Sequence, residues 1–264
     1  MFNITESQLR LLLFLGALLF FLILELLVPY RSSSGSKLKR WINNFALTLF
    51  NSLLITLIFS GAIVSTALYA QTQNLGVLHI LEIPTWLKIL VTVAFMDFII
   101  YIWHLLNHEM PFLWRFHRVH HSDLNMDVST ATRFHVVELA ISALIKISLI
   151  FFLGASPLGV LIFESTLVWC SQFTHSSLKV PRWFETFYWI LFVPPSMHRI
   201  HHSVVIRERD TNYGTIFSLW DRILGTLLTD VMQDKIRIGI GAYRKPEKLN
   251  FHQLLVMPFT KLVL

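Results

Sequence analysis

The sequence predicts an all-α integral membrane protein, a helical transmembrane stem of about four to five spans carrying a cytosolic helical cap. Three observations lead there. Of 264 residues, 54% are hydrophobic and only 14% charged, well below the roughly 25% charged share of soluble domains. Several apolar stretches are long enough to cross about 30 Å of hydrocarbon. The basic residues crowd onto one predicted side, as cytoplasmic loops require. The 22 Phe and 8 Trp suit helices that face acyl chains and rings that rest at the headgroup level.

The first span covers residues 8–28, interrupted only by Arg10 and Glu25. It ends in Leu27-Val28-Pro29 rather than in small residues, so it is expected to be a retained anchor and not a cleaved signal peptide. Residues 30–44 hold Arg31, Lys37, Lys39 and Arg40 with no acid, which marks a cytoplasmic loop. A second span fits 45–70, and the following loop, 71–85, contains no Lys or Arg, as an outer loop would. The third span, 86–106, delivers His104 and His108 to the inner boundary. Two apolar arms, 136–153 and 157–173, flank Gly154-Ala155-Ser156-Pro157, whose Gly and Pro favour a sharp turn; this is a helical hairpin. With the N-terminus outside, 19 of the 22 Lys and Arg fall on the inner side. One domain spans 1–264, with N-terminal membrane spans over 1–96, a histidine-rich region over 97–226 and a cytosolic tail over 227–264.

Two details accompany this topology. Lys146 and Glu164 each lie nine residues from Ala155, so antiparallel arms place them at one depth and predict an ion pair, since an unpaired charge there costs at least about 2.5 kcal/mol. The aromatic run Trp183 to Phe192 is expected to lie in the membrane interface.

The formal charge of +6 reflects the inner-side bias and not a nucleic-acid surface. Cys170 is the only cysteine, which excludes an internal disulfide, a multi-cysteine zinc site and a four-thiolate iron–sulfur cluster.

The chemistry is carried by histidine. Eight of the twelve form three patterns, His104-Leu-Leu-Asn-His108, His117-Arg-Val-His120-His121 and His198-Arg-Ile-His201-His202. Spacings of three and four share a helix face, so each pattern aims two or three imidazoles at one region. An HxxHH is expected only about 0.02 times by chance in such a chain, and here are two. Crowded, desolvated imidazoles gain nothing without a cation, and eight exceed what one ion accepts, so two ions are expected. Imidazole suits Fe, Zn, Cu and Ni, which leaves the metal open. His175, alone in Thr174-His175-Ser176, is placed to complete the set. Neutral ligands leave the ions positive, so nearby acids should orient the imidazoles; the candidates are Asp97, Asp123, Asp127, Glu138 and Asp221, with Asp123 and Asp127 also suited to helix-capping roles. His135 is expected to donate a hydrogen bond near the cluster.

These residues carry a family resemblance. The run Asp97 to Glu138 (DFIIYIWHLLNHEMPFLWRFHRVHHSDLNMDVSTATRFHVVE) resembles the first signature region of the sterol desaturase and fatty acid hydroxylase superfamily. The run Met197 to Thr226 (MHRIHHSVVIRERDTNYGTIFSLWDRILGT) resembles the second. The resemblance implies a di-iron centre, with zinc as a possible substitute, held by His104, His108, His117, His120, His121, His198, His201 and His202, with His175 a ninth ligand. It also implies O2-dependent oxidation of a lipid C–H bond, most simply hydroxylation of a fatty acyl, sterol or related lipid. Desaturation and ether-lipid cleavage are the alternatives on the same scaffold. Electrons would come from an external ferredoxin, rubredoxin or cytochrome b5 type of donor. Two departures stand out: Val136 follows His135 where the family commonly has Pro, and Lys179 stands where the fatty acid 2-hydroxylase branch has a further His. The expected location is a bacterial inner membrane with the histidines cytoplasmic, or else the endoplasmic reticulum membrane.

Two other classes compete. A metal transporter or sensor would string its ligands along a transmembrane path, whereas these clusters gather at one boundary. A zinc hydrolase needs about three protein ligands and an open position, fewer than are present.

Overall fold

The computed structural model describes residues 5–33, 35–59 and 61–263. Each long helix forms where an apolar run meets a local start or stop signal. Helix α1 (Glu6–Leu27) opens on Thr5, whose hydroxyl accepts from Gln8 N while the Gln8 side chain returns a bond to Thr5 N, a reciprocal cap that satisfies two otherwise orphaned donors. Helix α2 (Lys37–Phe59) is followed by α3 (Ala62–Thr72), with Gly61 left-handed between them at φ +70°. A one-turn α4 (Val77–Ile80) precedes α5 (Thr85–Glu109), and Pro111 starts α6 (Pro111–His121). Helices α7 (Val136–Leu153) and α8 (Pro157–His175) make the predicted hairpin: Gly154 closes α7 at φ +68°, and Ser156 caps α8 by accepting from Gly159 N. Short helices complete the chain: α9 (Arg182–Tyr188), α10 (Pro195–His201), α11 (Ile206–Arg209), α12 (Leu219–Leu224) and α13 (Phe251–Val256).

Four stretches are long and apolar enough to cross a membrane: Glu6–Leu27, Lys37–Ile80, Thr85–Glu109 and Val136–Leu153. The fifth predicted arm is present as α8, which carries polar residues, among them Glu164, Gln172 and His175, and is not one of those four. The reason is its place in the fold. Helix α8 packs on α1, α3, α5, α10 and the 3-10 turn Val128–Thr132, so its polar side chains meet protein. Helix α2 also starts eight residues before its predicted span. Lys37 and Arg40 join its first turn because their charges have partners: Lys37 Nζ lies 3.5 Å from Glu25, and Arg40 reaches Asp123 at 2.6 Å and Asp127 at 2.9 Å.

At the far end of the stem, a Cβ on Gly76 would lie 2.1 Å from Gly154 N. The 71–84 loop and the hairpin apex therefore meet at the same end of the stem. Within the stem, Lys146 Nζ donates to Glu164 at 2.9 Å, as predicted from equal depth. Arg10 joins them, bonded to Glu164 and to Glu6. In the aromatic run Trp183 and Phe187 are exposed.

The cap is tied to the stem by buried polar groups. Glu25 accepts from Val128 N and Ser177 N, both at 2.7 Å. Behind the C-terminus of α6, Arg133 is fully buried and donates to Val119 O, Asn44 Oδ1 and Ser122 Oγ; burial lowers its pKa to about 10. Burial pushes the Asp123 carboxyl up, but Arg40 and Arg133 outweigh it and hold that group well below the usual carboxylate range.

Candidate metal centre

Four helix ends supply the nine histidines: His104 and His108 from α5, His117, His120 and His121 from α6, His175 from α8, and His198, His201 and His202 from α10 and its C-cap. They resolve into two groups in which every ligand atom lies within 4.8 Å of the others. The first holds His104, His108, His117, His121 and His201; the second holds His120, His175, His198 and His202. Each HxxHH is split. Its pair four residues apart goes to one group and its middle histidine to the other, so the two motifs interlock the groups.

Hydrogen bonds fix which ring nitrogen faces inward. Nδ1 of His104, His175 and His201 contacts the carbonyl oxygens of Tyr213 (2.7 Å), Ser171 (2.7 Å) and Thr211 (2.8 Å). A carbonyl only accepts, so these Nδ1 atoms carry the proton and the Nε2 lone pairs point into the cluster. Carboxylates do the same for His117, through Glu138 at 2.7 Å, and for His108, through Asp210 at 3.1 Å. The Nε2 atoms of His104, His108 and His201 are buried and have no hydrogen-bond partner among the described residues.

The second group makes the argument for a cation most directly. Nε2 of His175, already without a proton, lies 3.0 Å from His120 Nε2, 3.0 Å from His198 Nε2 and 3.2 Å from His202 Nε2. One acceptor cannot satisfy three such neighbours. Metal–nitrogen bonds of about 2.0–2.1 Å place neighbouring ligands roughly 2.9 to 3.4 Å apart, between octahedral and tetrahedral geometry, and the observed separations fall in that interval. His121 and His117 show the same spacing, 3.1 Å between Nε2 atoms. Burial, reinforced by neighbouring imidazoles, holds His120, His121, His198, His201 and His202 well below the usual imidazole value. They are neutral at pH 7 and able to bind a metal.

Of the predicted orienting groups, Glu138 meets a histidine directly. Asp221 acts one link away: it accepts from Tyr213 N and Gly214 N at 2.8 Å and from Thr226 Oγ1 at 2.6 Å, fixing the loop whose Tyr213 carbonyl holds His104. Burial raises its pKa. A Cβ on Gly214 would lie 2.7 Å from Asp221 Oδ2, which is why this loop needs glycine. Asp97 accepts from Ile216 N, Phe217 N and Trp220 Nε1, so it pins the same loop to α5 and does not bond to an imidazole. Asp127 caps the Val128–Thr132 turn and takes Arg40. His135 caps α7 and bonds to Leu255 O, away from the cluster. Asp210 and the three carbonyls were not anticipated. Asp210 lies in the charged run Arg207-Glu208-Arg209-Asp210, which reads as surface, and carbonyl orientation has no sequence signature.

Aromatic rings pack on the centre. Phe134 stacks on His120 at 4.4 Å, and Trp114 lies 5.1 Å from His108. A cavity of about 400 Å³ opens onto both groups, reaching His104 and His117 of the first and His120, His175 and His198 of the second. From there it follows single faces of α2, α5, α7 and α8 into the stem, as far as Lys146.

Residues 89–226, which include all nine histidines, match the family model described as fatty acid hydroxylase. The chain is 32% identical over 184 residues to an ornithine lipid hydroxylase of Rhizobium tropici, covering 67% of this chain and 52% of that protein. It is 33% identical over 146 residues to human cholesterol 25-hydroxylase, covering 53% and 51%. It is 30% identical over 234 residues to an alkylglycerol monooxygenase of Danio rerio, covering 83% and 47%. The chain thus aligns with about half the length of these relatives. No solved structure matches it.

Proposed function

Because the chain belongs to the fatty acid hydroxylase family, we propose that it is a membrane oxidoreductase that uses O2 to hydroxylate a C–H bond of a lipid. The observation that carries the proposal is the convergence of nine inward-facing imidazole nitrogens beside a cavity running into the membrane stem. Ligand-sized cavities typically measure about 300–1,000 Å³, and this one lies among helices built to face acyl chains.

We assign His104, His108, His117, His121 and His201 to one iron and His120, His175, His198 and His202 to the other, with zinc a possible substitute. Bound iron supplies the O2 activation and oxidising power that no side chain has. The protein's part is orientation: Glu138, Asp210 and the carbonyls of Ser171, Thr211 and Tyr213 set the imidazoles, while Asp221 and Asp97 hold the Tyr213 loop. The cavity aligns the lipid, and Phe134 and Trp114 exclude water. The net reaction joins a C–H bond, O2, two electrons and two protons to give C–OH and water. The electrons come from an external carrier of ferredoxin, rubredoxin or cytochrome b5 type. The histidines face the cytoplasm of a bacterial inner membrane in this reading. Ether-lipid cleavage is the second reading, favoured by the long match to the alkylglycerol monooxygenase.

Lipid profiling of cells with and without the protein, in parallel with His120→Ala, tests the proposal. The expected result is a lipid heavier by one oxygen atom that is lost in the variant. A product lacking two hydrogens indicates desaturation, and an unchanged lipid profile overturns the oxygenase reading.

A further inference from the structure

The Lys146–Glu164 pair was read from the sequence as a device for carrying charge through the membrane, yet Lys146 also lines the cavity that leads to the histidines. On α7, Glu138, Leu139, Ser142, Ala143 and Lys146 form one continuous cavity face. Glu138, at its inner end, bonds to His117. Lys146, at its outer end, is eight residues further on, or about 12 Å at 1.5 Å per residue. An ammonium has three N–H donors. One meets Glu164 at 2.9 Å, and the described residues supply no second acceptor within hydrogen-bond distance. The side chain remains 19% exposed. Unused donors are costly at this depth, so the far end of the cavity favours a ligand oxygen.

The charge balance narrows the ligand. Arg10 bonds to Glu6 and Glu164, and Lys146 bonds to Glu164. Two cations thus meet two carboxylates, and the network offers no net charge to an anion. We infer that Lys146 is a specificity-determining residue that donates a hydrogen bond to a neutral oxygen function, a hydroxyl or carbonyl, carried by the lipid at a point remote from the carbon presented to the histidines. The inference rests on the oxygenase reading for the oxidation it predicts, and on the cavity alone for the binding.

The test compares dodecanol with dodecane on the purified, metal-loaded protein supplied with O2 and a reduced ferredoxin-type electron donor, reading both the melting temperature and the position of the oxygen introduced. In the wild type, dodecanol should bind about tenfold or more tightly than dodecane, the effect of one hydrogen bond to a charged group. New oxygen should enter at one defined position remote from the alcohol carbon. Lys146→Met should abolish the preference and scatter the position. Glu164→Gln keeps the ammonium but removes its counter-charge, so it should shift preference from dodecanol towards dodecanoate, and it serves if Lys146→Met does not fold. A wild type indifferent to the hydroxyl, a Lys146→Met variant that retains the preference, or a Glu164→Gln variant without the shift overturns the inference. Binding preference without any oxidation would leave the inference standing and defeat the oxygenase reading instead.

Discussion

The two histidine groups are built differently. In the first, His104, His108, His117 and His201 each hold Nδ1 against a carbonyl or carboxylate outside the cluster. In the second, His175 alone does so, while Nδ1 of His120, His198 and His202 has no partner among the described residues. Three of the second group's four members line the cavity, against two of the first group's five. The first group is oriented by the fold. The second is positioned by ring packing, including His120 on Phe134 and His202 on His121 at 4.4 Å, and more of it faces the cavity. An anchor site held by hydrogen bonds from outside the cluster is thus joined to a working site that faces the cavity, through the interlocked HxxHH motifs.

The strongest way to break this comparison is to remove a member of the working site. His120→Ala should cut lipid oxidation by more than about 100-fold, beyond the usual ceiling for groups that only orient a ligand; product quantification in the membrane checks it. Next comes the anchor site's orientation. Glu138→Ala should cost about 10–100-fold in metal affinity or activity, and Asp210→Asn only a few-fold. Asp210 is 29% exposed and its bond is longer, 3.1 Å against 2.7 Å, so metal titration of the two variants should rank them in that order. A reversed order would show that the carboxylates do not set the anchor site.

The Tyr213 loop offers a smaller effect. Gly214→Ala places a methyl group against Asp221 and should destabilise the protein by about 1–3 kcal/mol, read as a lower melting temperature. The smallest effect concerns pH. Burial raises the Asp221 pKa in the folded protein, so its contribution to stability is present below the unfolded value near 4 and is lost as pH rises through the folded value. Asp221→Asn should remove that slope from a pH series of melts, and an unchanged slope assigns it to other groups.

Much of this was legible in the sequence. Apolar length and the Gly154–Pro157 turn marked the stem helices, and three-and-four spacing marked the histidines, because both depend on period and chain length alone. Lys146 and Glu164 could be paired because a hairpin equates depth with distance from its apex. What could not be read was the partition of each HxxHH between two groups, which depends on how α5, α6, α8 and α10 meet. Asp97 illustrates the same limit: a buried acid two turns before His104 does support the centre, but by holding the backbone at Ile216 and Phe217 and the Trp220 side chain. Depth in the membrane identified it as important and could not identify its partner.

Metal content per chain tests the two-group account most directly, measured by elemental analysis of the wild type and of His175→Ala purified in parallel. The account predicts about two iron ions per wild-type chain, falling to about one when His175 is removed, because the anchor site keeps its five imidazoles. A wild-type chain that holds a single ion, or a variant that loses both ions together, would contradict it.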